Sequence, residues 1–118
     1  MVDNSPPNIE LIRTICEPAG YKLLEARDVE EALALLRQNS PDLILSDLHM
    51  PGQGGYEFVK VVKGSPQWRA IPFVFLSSTV WNEQDQRMGL ELGALRFLLR
   101  PIEPQALLTE IEACLKGS

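Results

Sequence analysis

Leu43-Ile44-Leu45-Ser46-Asp47, followed by Leu48-His49-Met50-Pro51-Gly52-Gln53-Gly54-Gly55, is the stretch that decides the fold. A short, near-continuous apolar run reads as a strand buried on both faces, the habit of parallel sheets. This one delivers a carboxylate to its carboxyl end, above a Gly/Pro turn, where open α/β sheets bind ligands and do chemistry. Asp47 is therefore a candidate nucleophile.

Outward from that strand, apolar runs alternate with amphipathic stretches. Upstream, Pro41 breaks a helix that starts behind the cap Asp28 and turns Val29, Ala32, Leu33 and Leu36 inward. Tyr21 to Ala26 reads as a strand. Before it, Ser5 offers a capping hydroxyl to a helix with proline in its first turn, on which Ile9, Ile12 and Cys16 recur before Pro18-Ala19-Gly20 ends it. Only Met1 and Val2 precede Asp3, so any first strand is short or truncated against the usual five or six residues.

Downstream, Tyr56 to Lys63 reads as a helix and Phe73-Val74-Phe75-Leu76 as a second buried strand, with Ser77-Ser78-Thr79 behind it. Asn82 to Leu92 is helical but weakly amphipathic, with Met88 and Leu92 as its anchors, and Gly93 stops it. Leu95 to Leu99 is a strand, Arg100-Pro101 turns the chain, and Leu108, Ile111 and Leu115 mark the buried stripe of a last helix. Strands alternating with helices make an α/β fold, a parallel sheet covered by helices on both faces.

Residues 1–118 read as a single domain, long enough to bury a real core. The net charge of −5 and pI near 4.8 oppose direct nucleic-acid binding, which calls for a basic stripe. No apolar stretch reaches the roughly 20 residues of a membrane span. No secretory or transit signal is visible, so the expected compartment is the cytoplasm. Cys16 and Cys114 lie far apart with no CxxC or Cys/His cluster, and read as reduced packing residues.

In a parallel sheet the polar strand ends Asp3-Asn4, Asp47, Ser77 and Arg100 share one edge. Their order, with Val2-Asp3-Asn4-Ser5-Pro6-Pro7-Asn8, Ser46-Asp47-Leu48-His49-Met50-Pro51 and Gly55, Leu76-Ser77-Ser78, Gly93-Ala94 and Phe97-Leu98-Leu99-Arg100-Pro101, resembles the receiver domain of two-component response regulators. The resemblance covers essentially the whole chain. It implies a flavodoxin-like, doubly wound, five-stranded parallel sheet of order 2-1-3-4-5. It also implies that Asp47 is the phosphoacceptor, taking a phosphoryl group from a histidine kinase or phosphotransfer protein. Mg²⁺ would be held by Asp3, Asn4, Asp47 and the backbone carbonyl of His49, hard oxygen donors suited to that ion. Ser77 and Arg100 would hold phosphoryl oxygens, and Ser77 with Phe97 would form the switch. By the same resemblance a cis peptide precedes Pro101, and the fourth helix, fifth strand and fifth helix, with Trp81 nearby, form an output face for a partner or a homodimer.

Two positions depart from the family. Asn4 stands where a second acidic metal ligand is usual, which weakens Mg²⁺ binding and relieves repulsion among clustered carboxylates. Arg100 stands where the family has Lys, exchanging a point charge for a planar fork. These departures support the alternative of a degenerate receiver acting as a phosphorylation-independent interaction module. An aspartate-nucleophile phosphatase needs a second Asp where His49 stands. A flavodoxin-like electron carrier needs a Ser/Thr/Gly-rich loop after the first strand. On this reading the protein is a signalling domain, with self-catalysed phosphoryl transfer and hydrolysis as its only enzymatic activity.

Overall fold

The computed structural model describes residues 1–48, 54–77, 83–99 and 102–116, with the backbone alone at 77 and 83–86. Three strands, β1 (Ile44–Ser46), β2 (Phe73–Ser77) and β3 (Arg96–Leu99), form a parallel sheet in the order β1-β2-β3. Register pairs Ser46 with Phe75 and Ser77 with Leu99, so the carboxyl ends of all three strands lie at one edge.

Beyond β1 the sheet continues only as isolated parallel bridges from Val2 to Ser46 and from Val2 to Ala26. The strand expected over Tyr21–Ala26 is thus reduced to one bridging residue. A strand needs a ladder, and the bonds between this segment and Met1–Asp3 are the N–H of Asp3 to the carbonyl of Ala26 at 3.0 Å, Ala26 N–H to the carbonyl of Met1 at 2.9 Å, and the Met1 ammonium to the carbonyl of Leu24 at 2.8 Å. Of the five expected strands, three form regular elements among the described residues.

Among the described residues five helices pack on the sheet: α1 (Pro6–Cys16), α2 (Val29–Gln38), α3 (Gly55–Gly64), α4 (Glu83–Glu91) and α5 (Pro104–Leu115), with a 3₁₀ turn at Glu17–Ala19. Side chains alternate across a strand, which divides the core in two. Phe73 and Phe75 of β2 join Val29, Ala32, Leu36, Phe58, Val59 and Val62 from α2 and α3. Val74 and Leu76 join Ile12 and Cys16 of α1 and Leu107, Ile111 and Cys114 of α5 on the other face. Fully burying such a side chain contributes about 1.5–3 kcal/mol, so β2, covered on both faces, anchors the sheet.

Local signals explain the helix boundaries, with exceptions. Asp28 caps α2 by accepting the N–H of Glu31 at 2.8 Å, and Glu31 returns the bond by accepting Arg27 N–H at 3.1 Å. Ser5 stands at the N-cap of α1, but its hydroxyl makes no capping bond; its N–H donates instead to Asp3 Oδ1 at 2.9 Å. Gly93 adopts φ 117° after α4, the left-handed stop that glycine permits without strain.

In α5 the buried stripe is Leu107, Ile111 and Cys114 rather than Leu108, Ile111 and Leu115. Glu103 fixes the start by accepting the N–H groups of Gln105 and Ala106, and this phase turns Leu107 onto Val74 and Leu76. Near α4's end the expected anchor Met88 is exposed, Leu92 is half-buried, and among the described side chains of the helix the buried one is Gly89. The helix rests on the Phe75 and Phe97 rings at a point where an added Cβ would stand 3.2–3.3 Å from ring carbons, tighter than ordinary contact.

Candidate functional site

Asp47 follows the last residue of β1 and is half-buried. Its backbone N–H donates to the carbonyl of Val2 at 2.8 Å. Its carbonyl accepts the hydroxyl of Ser46 at 2.8 Å, and its Oδ1 accepts the N–H of Leu48 at 2.9 Å. Backbone and carboxylate are therefore both held in place before any ligand arrives. Ser46 itself is fully buried within an apolar run, and sequence reasoning gave it no role. The signal was there, since a hydroxyl at a two-faced buried strand position must find a partner.

Asp3 lies one residue past Val2, as Asp47 lies one residue past Ser46, and the Val2–Ser46 bridge sets the two carboxylate-bearing residues side by side. Asp3 is fully buried, the only acidic side chain so placed among the described residues. A buried carboxylate is costly unless it has hydrogen bonds or a cation to balance it. The Ser5 N–H on its Oδ1 supplies part of that balance. Asn4, next in the chain, is exposed. Thus the structure brings Asp3 and Asp47 together at the sheet edge and leaves Asn4 in the solvated rim.

Ser77 ends β2, paired with Leu99, and so has its backbone at the same edge. Its side chain, His49, Ser78, Thr79, Trp81, Arg100 and Pro101 lie outside the described residues, as does the peptide bond before Pro101. Phe97 is half-buried in β3, its ring centroid 5.6 Å from that of Phe75. Among the described residues no group of three His, Cys, Asp or Glu side chains gathers to hold a metal ion. Asp3 and Asp47 account for two such ligands, and their hard oxygens suit Mg²⁺.

A cavity of about 380 Å³ lies at the other end of the strands, lined in part by Gly20, Leu23, Asn39, Pro41 and Leu43. It contains neither Asp3 nor Asp47. The two cysteines are free and buried, and burial pushes both thiols above their ordinary pKa, as expected of packing residues. No helix among the described residues is long and apolar enough to cross a membrane.

The model of the response regulator receiver domain matches residues 1–112. The chain is 32% identical over 117 residues to the protein PilH of Pseudomonas aeruginosa, covering 99% of this chain and 96% of that one. It is 34% identical over 116 residues to the phosphate regulon transcriptional regulatory protein PhoB of Escherichia coli, covering 98% of this chain and 50% of PhoB. The chain thus spans about half the length of the PhoB proteins it matches. Among solved structures, the signal receiver domain of a signal transduction histidine kinase from Syntrophus aciditrophicus superposes with a TM-score of 0.89 at 34% identity, over 98% of this chain and 87% of that one. The chemotaxis protein CheY4 of Vibrio cholerae follows at 0.88 and 31%, over 95% and 92%.

Proposed function

The chain belongs to the response regulator receiver domain family, and we propose on that premise that Asp47 is its phosphoacceptor. The observation that carries the reading is the bond from Asp47 N–H to the Val2 carbonyl, which sets Asp47 beside the buried Asp3 at the carboxyl edge of the sheet. Two carboxylates in one place need a cation, and a phosphoryl group brings more negative charge to the same spot. Mg²⁺ bound there supplies neutralisation of that charge. Asp3 and Asp47 would hold it, with the amide oxygen of Asn4 and the carbonyl of His49 completing the oxygen set. The exposed, neutral Asn4 makes this a weaker magnesium site than a third carboxylate would.

In the transfer, an Asp47 carboxylate oxygen forms a bond to phosphorus while the bond from phosphorus to a donor imidazole nitrogen breaks. The electron pair remains on that nitrogen. The donor is a histidine kinase or phosphotransfer protein. Ser77 and Arg100 take the phosphoryl oxygens, and water later hydrolyses the acyl phosphate without a separate enzyme. Ser77 and Phe97 form the switch, and α4, β3 and α5 the output face toward a partner or a second copy. We read the Val2 and Ala26 bridges as the two remaining strand positions, which gives the order 2-1-3-4-5 over residues 1–118 as one domain. Its compartment is the cytoplasm.

The buried Asp3 beside Asp47 favours this reading over that of a phosphorylation-independent module, for two carboxylates brought together repel one another unless a cation joins them. Treatment with a small-molecule phosphodonor and Mg²⁺, followed by intact mass under mild conditions, tests it. One phosphoryl adduct is expected on the unaltered chain and none on Asp47→Asn. An adduct that survives Asp47→Asn, or its absence from the unaltered chain at high Mg²⁺, overturns the assignment.

A further inference from the structure

Phe75 is fully buried at the centre of β2, and its ring fills the space left by two glycines on different helices. A Cβ on Gly55, the first residue of α3, would stand 2.8 Å from Phe75 Cε1 and 2.6 Å from the carbonyl oxygen of Asp47. A Cβ on Gly89, in the middle of α4, would stand 3.2 Å from both Cδ2 and Cε2 of Phe75 and 3.3 Å from Cδ2 of Phe97. Those carbons lie on opposite edges of one ring. Phe75 therefore touches on one side the glycine that closes over Asp47, and on the other the helix that belongs to the output face.

Neighbouring contacts remove slack from this arrangement. Gly55 is tied to the Asp47 turn by its N–H, which donates to the carbonyl of Leu48 at 2.8 Å. Tyr56 meets the Phe75 ring edge-on with centroids 5.8 Å apart, Phe73 stands at 5.1 Å and Phe97 at 5.6 Å. By contrast the described side chains of α4, Arg87–Glu91, hold it lightly: Met88 and Leu90 are exposed, and the buried residue among them is Gly89, a glycine, which costs helix stability relative to alanine. A close-packed ring transmits displacement rather than absorbing it. A helix segment so lightly anchored is the element that yields.

We propose that Phe75, clamped between Gly55 and Gly89, is a positioning residue that passes the state of Asp47 to α4. The inference rests on Asp47 as phosphoacceptor and adds the route by which loading it alters the output face. Coupling between two sites is reciprocal. A change at Gly89, remote from the carboxylate, must therefore alter the affinity of a phosphoryl mimic at Asp47.

The test uses the full chain with Mg²⁺ and beryllofluoride, which occupies the place of a phosphoryl group. Hydrogen exchange across α4 is followed by mass spectrometry, with mimic affinity measured in parallel. In the unaltered chain, loading is expected to change exchange in α4. Phe75→Leu keeps an apolar side chain but removes the ring; it is expected to load while its α4 response falls several-fold. Gly89→Ala is expected to shift mimic affinity by about 5-fold or more, the lower range of ordinary coupling. Should Phe75→Leu fail to fold, Phe75→Met serves in its place. A loaded variant whose α4 responds as the unaltered chain does overturns the clamp alone. So does a Gly89→Ala chain that changes melting temperature but not mimic affinity. Failure of the unaltered chain to load overturns both the clamp and the phosphoacceptor assignment.

Discussion

Asp47 and Val2 are joined by a backbone hydrogen bond of 2.8 Å, and through it Asp47 comes to lie beside Asp3. The pairing is made by main-chain atoms, so it survives changes to the side chains that follow. Asn4→Asp would place a third carboxylate next to this pair. Mg²⁺ binding is expected to tighten, and the metal-free chain to lose on the order of 1 kcal/mol, a modest figure because position 4 is exposed and water screens the new charge. Thermal melts with and without Mg²⁺ check both halves. A higher metal-free melting temperature in Asn4→Asp would mean that carboxylate repulsion does not act here.

The cap of α2, in which Asp28 accepts Glu31 N–H and Glu31 accepts Arg27 N–H, makes a second, independent prediction. Asp28→Ala removes the acceptor for Glu31 N–H and leaves that donor to water. About 1 kcal/mol of stability is expected to go, a fall of roughly 4 °C in a domain of this length. Phosphodonor labelling of Asp47 should be unchanged, since the bonds of this cap close on Glu31 and Arg27 and not on Asp47. Loss of labelling at a temperature where the variant is folded would contradict the separation.

Much of this was legible in the sequence because the signals were local. The run from Leu43 to Asp47 carried both the strand and the carboxylate at its end, and Asp28 announced α2. Where the reading failed, the deciding information was non-local. Tyr21 to Ala26 has a strand's composition, yet a strand forms only against a neighbour, and this segment meets Val2 in a single bridge at Ala26. In α5 either Leu107 or Leu108 fits a helical stripe, and the phase is set by the Glu103 cap meeting β2. Met88 looked like an anchor because periodicity rewards large apolar residues. It could not reveal that the helix contacts the sheet through Gly89, where space and not hydrophobicity decides. Of the site, Asp3 and Asp47 emerged from strand ends, whereas the roles of Ser46 and Gly55 depend on contacts that no spacing encodes.

Lys63 gives a prediction about the turn between α3 and β2. Its ammonium donates to the carbonyls of Arg69 and Ile71 at 3.0 and 2.8 Å, and partial burial lowers its pKa. Its stem also lies against Gly93, where an added Cβ would meet Lys63 Cγ at 2.6 Å. Lys63→Met keeps the stem and removes the donor. The bond to Arg69 is exposed and that to Ile71 only part-buried, so the expected cost is about 1 kcal/mol rather than the upper end of the 1.5–3 kcal/mol of a bond to a charged group. Chemical denaturation measures it. A cost as large as 3 kcal/mol would show that this turn is sealed from solvent.

The Met1 ammonium supplies a pH dependence. It donates to the Leu24 carbonyl from a part-buried position, and the loss of water around it lowers its pKa from 8.0 to about 6, with Cys16 and Glu25 opposing that shift. The folded chain therefore releases this proton more readily than the unfolded chain. Below about pH 6 both states carry the charge and the folded one bears its full burial cost. Between pH 6 and 8 the unfolded state binds more protons, so stability rises with pH, by roughly 2–3 kcal/mol in all. Above pH 8 the contribution levels off. Acetylating the amine removes its titration, leaving a flatter stability profile across that window. Urea denaturation of both forms at pH 5.5, 7 and 8.5 makes the comparison. Parallel profiles for the free and acetylated chains would show that the ammonium is solvated rather than buried.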